Sequence, residues 1–153
     1  MIVYRFSRER FSNDLSGEGA LRFGGRWNNK GLPVIYTSLT ISLSLLELLI
    51  HSAAYDQIVS NRLTIIEVPD KSLAEVSAGR LKKNWQSDEN YSRFMGDQFL
   101  STKTTLLLKV PSAIIPAESN ILINPKHKDA SKVKIHSIQK FSFDNRMFKT
   151  QSI

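Results

Sequence analysis

The chain reads as a mixed α+β protein, a compact single domain of short strands with few long helices. Three observations carry that reading. Its 153 residues suit one domain, because a chain of about 150 residues buries roughly two-thirds of its unfolded surface around one core. About seven short apolar runs are bounded by turn residues, whereas long helical patterns are few. With 41% hydrophobic and 23% charged residues, the composition is that of a folded globular protein. One domain is therefore expected over residues 1–153.

The elements follow in order. Residues 2–5 form a short strand. Residues 16–30 hold four glycines and predict a structured loop. Residues 34–37 form a buried strand. Residues 40–53 form a helix, apolar almost all round and hence expected to be largely buried, with Ser38 or Thr40 as its N-cap. Residues 62–68 make a strand that Pro69 ends. A loop or weak helix spans 71–83, and a short helix spans 91–100. Apolar runs at 106–110, 113–115 and 121–123 are punctuated by Pro111, Pro116 and Pro125. The last element, 134–143, alternates as a strand does.

Composition excludes several function classes. There are no cysteines, which rules out a disulfide scaffold and a zinc–thiolate site and fits a reducing cytoplasm. The longest apolar run, Leu45 to Ile50, is broken by Glu47 and falls far short of the ~20 residues a membrane helix needs. No signal peptide is recognisable, so a soluble, cytoplasmic protein without membrane association is expected. Metal motifs, a Walker loop and a dinucleotide glycine fingerprint are all missing from the sequence, and no Ser-His-Asp set stands out.

Net charge is +7, from 21 Lys+Arg against 14 Asp+Glu. Nucleic acid, an anionic small molecule and an acidic protein compete to explain it. Residues 121–153 carry +5 of that excess, with Lys126, Lys128, Lys132, Lys134, Lys140, Arg146 and Lys149 against Asp129 and Asp144. Lysines alternating along a strand suit a solvated face or a protected sheet edge. Because aromatic residues are not interleaved with them, a nucleic-acid platform is the weaker reading. A second set, Arg5, Arg8, Arg10, Arg22 and Arg26, is arginine-rich, and a planar fork suits phosphate.

Three places break the pattern of an ordinary domain. Glu47 stands among leucines in LLELLIH. There it is either a buried carboxylate needing partners or part of an exposed stripe with Ser44 and His51. The run Phe23-Gly24-Gly25-Arg26-Trp27-Asn28 is either a glycine loop that cradles phosphate or a tight hairpin. Two asparagines, Asn120 and Asn124, flank the apolar run 121–123 ahead of Lys126 and His127, as turn residues or as something more.

Taken together, Tyr4-Arg5, SGEGALRFGGRWN, Val34-Ile35-Tyr36-Thr37-Ser38 and Leu46-Glu47 resemble the RES domain family, as do Val110-Pro111-Ser112, residues 120–127 and residues 143–148. The resemblance covers the chain from Tyr4 to Phe148. It implies the toxin of a type II toxin–antitoxin module, with an Xre-type, DNA-binding antitoxin that blocks the NAD cleft and a homodimeric toxin. A fold like that of diphtheria-toxin-type ADP-ribosyltransferases is implied, with short strands around an NAD cleft. NAD is then the substrate, split by water or inorganic phosphate or used to ADP-ribosylate a protein, without a prosthetic group or metal.

Carried onto this sequence, the resemblance implies catalytic Glu47, Tyr36 and Arg26. It implies NAD contacts from Arg5, Gly24, Gly25, Arg26 and Tyr36, with Ser92 and Ser112 as candidate serines. The chemistry fits these residue types. Breaking the nicotinamide–ribose bond builds positive charge at the anomeric carbon, which a carboxylate stabilises. Arginine forks suit the two phosphates, and a tyrosine ring offers a stacking face.

Overall fold

In the computed structural model, which describes residues 1–148, the chain runs through eleven regular elements. They are β1 (Ile2–Arg8), α1 (Glu18–Phe23), β2 (Ile35–Ser38), α2 (Ile41–Ile50), α3 (Tyr55–Ile58), β3 (Asn61–Glu67), β4 (Leu73–Glu75), α4 (Glu89–Thr102), β5 (Leu107–Pro111), β6 (Ser119–Ile123) and β7 (Lys134–Lys140). Lys149 of the basic set lies outside the described residues, as does the rest of the stretch to Ile153. No described helix is long and apolar enough to cross a membrane.

The strands form one sheet in the order β4-β5-β6-β2-β1-β3-β7. Only β4 and β5 run parallel; every other neighbouring pair is antiparallel. Side chains alternate across a strand, and the core divides accordingly. Val3, Ile35, Ile66, Leu107, Ile121 and Ile123 pack on one face. Val34, Leu108, Val110 and Leu122 turn to the other, where Trp27, Trp85, Phe99 and Leu100 cover them.

One join in this sheet is weak, and it makes the site. β1 pairs with β3 along its whole length, from Ile2↔Glu67 to Arg8↔Asn61. With β2 it shares only Tyr4↔Ser38. Beyond that pair the two strands diverge, so Arg5 and Phe6 on one side face Thr37 and Tyr36 on the other across a cleft.

Several expectations change. α2 starts as foreseen, because the Thr40 side chain accepts from the Leu43 N–H at 3.1 Å. It is not buried all round, however: only Leu43 and Ser44 are buried, and Ile50 is 60% exposed. It lies with one face on the sheet, and its remaining leucines are half-buried. The glycine-rich loop contains a helix, α1, framed by Gly17 and Gly24 at positive φ of 71° and 70°. Residues 113–115 are a turn instead of a strand. β4 and one short 3-10 turn, Ala78–Arg80, occupy the stretch 71–83. β7 ends at Lys140 and forms the sheet edge, so Lys134 and Lys140, both exposed, sit where lysines discourage edge-to-edge pairing.

Candidate active site

The arginine turn is built from its own side chains. α1 stops at Gly24, whose N–H donates to Ala20 O at 2.8 Å. Gly25 N–H then donates to Asn28 O at 3.0 Å, closing a tight turn over Arg26 and Trp27. Buried Asn28 donates to Ala20 O and Leu32 O, each at 2.9 Å. Its Oδ1 accepts from the Tyr36 hydroxyl at 2.7 Å, and that hydroxyl accepts from Trp27 N–H at 3.0 Å. A Cβ at position 25 would lie 2.6 Å from the Tyr36 hydroxyl oxygen. Gly25 is therefore required by the tyrosine's close approach.

This geometry corrects one expectation. The N–H groups of Gly24, Gly25 and Trp27 are consumed inside the protein, so they do not cradle a phosphate. Gly24 and Gly25 still line the cleft, but the strong anion donors there are side chains. Desolvation raises the Tyr36 phenol well above the ordinary tyrosine range, partly offset by its bond from Trp27 N–H and by nearby Arg93 and Arg26. It stays neutral and presents a ring to the cleft.

Arginine provides the cationic end. Arg26 donates from Nη1 to Gln86 O at 2.9 Å, and its Nη2 lies 3.8 Å from Glu89 Oε1. Arg93 donates from Nε to Gly25 O at 2.9 Å and from Nη2 to Glu89 Oε2 at 2.7 Å. Arg5 is different. Its Nη2 reaches Phe11 O and Ser12 O at 3.4 and 3.2 Å, while its buried Nε has no hydrogen-bond partner. No described carboxylate lies within ion-pair distance of it. Burial lowers the Arg5 pKa, with Asp14 partly opposing. A largely desolvated guanidinium with no carboxylate partner among the described residues suits an anionic ligand.

Glu47 faces these cations from α2. Its Oε1 accepts from Asn120 Nδ2 at 2.7 Å and from Ser112 Oγ at 3.1 Å. Of the two readings of its surroundings, each holds in part. Glu47 is half-buried and hydrogen-bonded, and the stripe it shares with Ser44 and His51 lines the cleft.

The cleft holds about 590 Å³, within the range that takes a small-molecule ligand. It brings together Arg5, Gly24, Gly25, Arg26, Tyr36 and Glu47, all singled out in the sequence. The two serines are corrected. Both are wholly buried, 0% exposed, and neither lines the cleft. Ser92 Oγ donates to Arg26 O at 2.7 Å and so holds the arginine turn. Ser112 holds Glu47. Cleft residues that sequence reasoning missed are Arg93, Glu89, Ser38 and, as a site residue, Asn120. The lysines from 126 to 140 do not line it.

These features define a class of site. An arginine cluster and a carboxylate oriented by buried Ser112 and half-buried Asn120 face one cleft where a sheet splits. Such a cleft offers cationic donors at one part of its wall and a carboxylate at another.

The RES domain family model matches residues 2–144, and the chain belongs to that family. It is 37% identical over 143 residues to the Prs ADP-ribosylating toxin of Sphingobium sp. (strain YBL2), covering 90% of this chain and 89% of that protein. It is also 37% identical over 150 residues to Toxin Res of Pseudomonas putida, covering 97% of this chain and 100% of that one. In fold it is similar to a chain in the crystal structure of the M. tuberculosis MbcT–MbcA toxin–antitoxin complex. There the TM-score is 0.76 at 20% identity, covering 92% of this chain and 84% of that one.

Proposed function

We propose that this protein is the toxin of a toxin–antitoxin pair, with a fold of the ADP-ribosyltransferase type, and that it cleaves NAD at the nicotinamide–ribose bond. One observation carries the reading: Arg5, desolvated and with no carboxylate partner among the described residues, shares a cleft with Glu47, whose carboxylate is fixed by Asn120 and Ser112. Arg5, Arg26 and Arg93 take the pyrophosphate, with Glu89 releasing Arg26 and Arg93 as the phosphates arrive. The Tyr36 ring supports the nicotinamide. As the bond between the ribose anomeric carbon and the nicotinamide nitrogen breaks, its electron pair leaves with nicotinamide, now neutral. Glu47 stabilises the cationic carbon and holds a ribose hydroxyl. An oxygen of water or of inorganic phosphate then bonds to that carbon; water loses a proton to solvent, and phosphate gives ADP-ribose phosphate.

Transfer of ADP-ribose to a protein side chain is the second reading, favoured by the ADP-ribosylating name of the Sphingobium relative. An Xre-type antitoxin covering the cleft, a homodimeric toxin in the cytoplasm and DNA contact only through the antitoxin complete the proposal. Purified protein incubated with NAD, with and without phosphate, separates the routes by phosphorus NMR of the product. ADP-ribose, ADP-ribose phosphate or a mass increase on a protein identifies the acceptor. NAD left intact both with and without phosphate refutes the proposal.

A further inference from the structure

We propose that Asn120 and Ser38 are positioning residues that fix the direction of the Glu47 carboxylate, an inference that rests on Glu47 facing the reacting ribose.

The sequence places them by register. β2 and β6 pair with Ser38 opposite Asn120, and Ser38 is also the residue that joins β2 to β1 at Tyr4. The pair therefore sits where the sheet divides, and both residues line the cleft beside Glu47. Ser38 Oγ donates to Asn120 Oδ1 at 2.7 Å, and Asn120 Nδ2 donates to Glu47 Oε1 at 2.7 Å.

The polarity of this chain is forced. Flipping the Asn120 amide would set Oδ1 against the Glu47 carboxylate, acceptor against acceptor, so the amide stays as the Ser38 hydroxyl holds it. Ser112 is constrained too. Its Oγ accepts from the N–H groups of Ile114 and Ile115, each at 3.1 Å. Both lone pairs are used, and its proton is left for Glu47 Oε1 at 3.1 Å. Two donors thus converge on Oε1. The other oxygen, Oε2, has no partner among the described residues and is the one available to substrate. Such a network raises the share of time a carboxylate spends in one orientation.

Nicotinamide release is measured for wild type, Asn120→Ala, Ser38→Ala, the double variant and Asn120→Asp. Asn120→Ala lowers kcat about tenfold to a hundredfold and leaves KM within about threefold, because ground-state binding is not touched. Ser38→Ala loses roughly threefold, and the double variant is no worse than Asn120→Ala alone, since the serine acts through the asparagine. Asn120→Asp brings two carboxylates together. The acceptor that replaces the amide donor repels Glu47, so Asn120→Asp loses at least as much kcat as Asn120→Ala.

Losses that multiply in the double variant, or a wild-type kcat in Asn120→Ala, overturn the inference. A check without turnover uses the Asn120 side-chain amide by nitrogen-15 NMR in the absence of NAD. Slow hydrogen exchange that is lost in both Ser38→Ala and Glu47→Ala supports the network. Exchange equal in all three proteins overturns it. If wild type leaves NAD intact while the exchange pattern holds, the enzymatic reading fails and the positioning of Glu47 stands.

Discussion

Replacing Gly96 by alanine probes the packing that carries Arg26. Gly96 is buried on α4 beneath the arginine turn. A methyl there would lie 1.7 Å from the Trp27 carbonyl oxygen and 2.7 Å from its carbon. Backbone cannot rotate aside as a side chain does. Ordinary contact begins at 3.4 Å, so α4 or the turn must retreat by about 1.7 Å. That movement breaks the 2.7 Å bond from Ser92 Oγ to Arg26 O and opens the packing of Trp27 on Trp85, whose ring centroids are 5.6 Å apart. Overpacking costs about 1–3 kcal/mol, and a lost buried hydrogen bond adds about 1 kcal/mol. A total of about 2–4 kcal/mol lowers the melting temperature by roughly 10 °C in a domain of this size. Thermal unfolding followed by circular dichroism measures it, with Gly19→Ala as the control. Gly19 lies in α1 with nothing within 4 Å of an added Cβ, so alanine there stabilises by up to about 1 kcal/mol. Melting of Gly96→Ala within about 2 °C of wild type would refute the packing argument.

Arg5→Gln removes a desolvated fork and should raise KM for NAD about tenfold or more with a smaller change in kcat, read from initial rates of nicotinamide release. Tyr36 gives a pH dependence of defined sign. Desolvation raises its folded pKa above the ordinary 10.0, so the folded state keeps a proton that the unfolded chain begins to lose near that value. Its contribution is complete below 10.0 and shrinks as pH rises above it. Tyr36→Phe should abolish that alkaline component in denaturant melts, and cost about 1–3 kcal/mol at neutral pH for its two hydrogen bonds. Lys126 and Lys128, exposed and away from the cleft, can be changed together to glutamine with turnover unchanged and slower association with an acidic antitoxin surface, measured by stopped flow at low salt.

Much of this was legible in the sequence, for physical reasons that differ by element. Buried strands such as β5 and β6 announce themselves as short apolar runs between prolines and polar turns. Thr40 was readable as a cap because its hydroxyl suits the first free N–H groups of a helix. α1 was hidden because Gly17, Gly19 and Gly24 resemble a loop. Two of the three are in fact its ends, at positive φ. The exposed face of α2 was hidden because periodicity counts leucines and not what covers them. In the site, Glu47 and Arg26 stood out by violating their surroundings. Arg93 did not, since Glu89 and Arg93 at helical spacing look like an ordinary surface ion pair. Asn120 was noticed as a strand boundary, but its bond to Glu47 joins residues 73 apart in sequence, which only the fold brings together. Ser92 and Ser112 were singled out only through the family resemblance. That they act on Glu47 and Arg26 from behind the cleft wall depends on which way each hydroxyl points.

Glu47→Gln, studied for binding and turnover together, tests the central claim most directly. The substitution keeps the shape and removes the charge that faces the developing cation. NAD affinity by calorimetry should stay within about threefold of wild type, because Arg5, Arg26 and Arg93 are intact, while nicotinamide release falls by a factor on the order of a thousand. Release at the wild-type rate from Glu47→Gln would contradict the assignment of Glu47 as the group that stabilises the breaking nicotinamide–ribose bond.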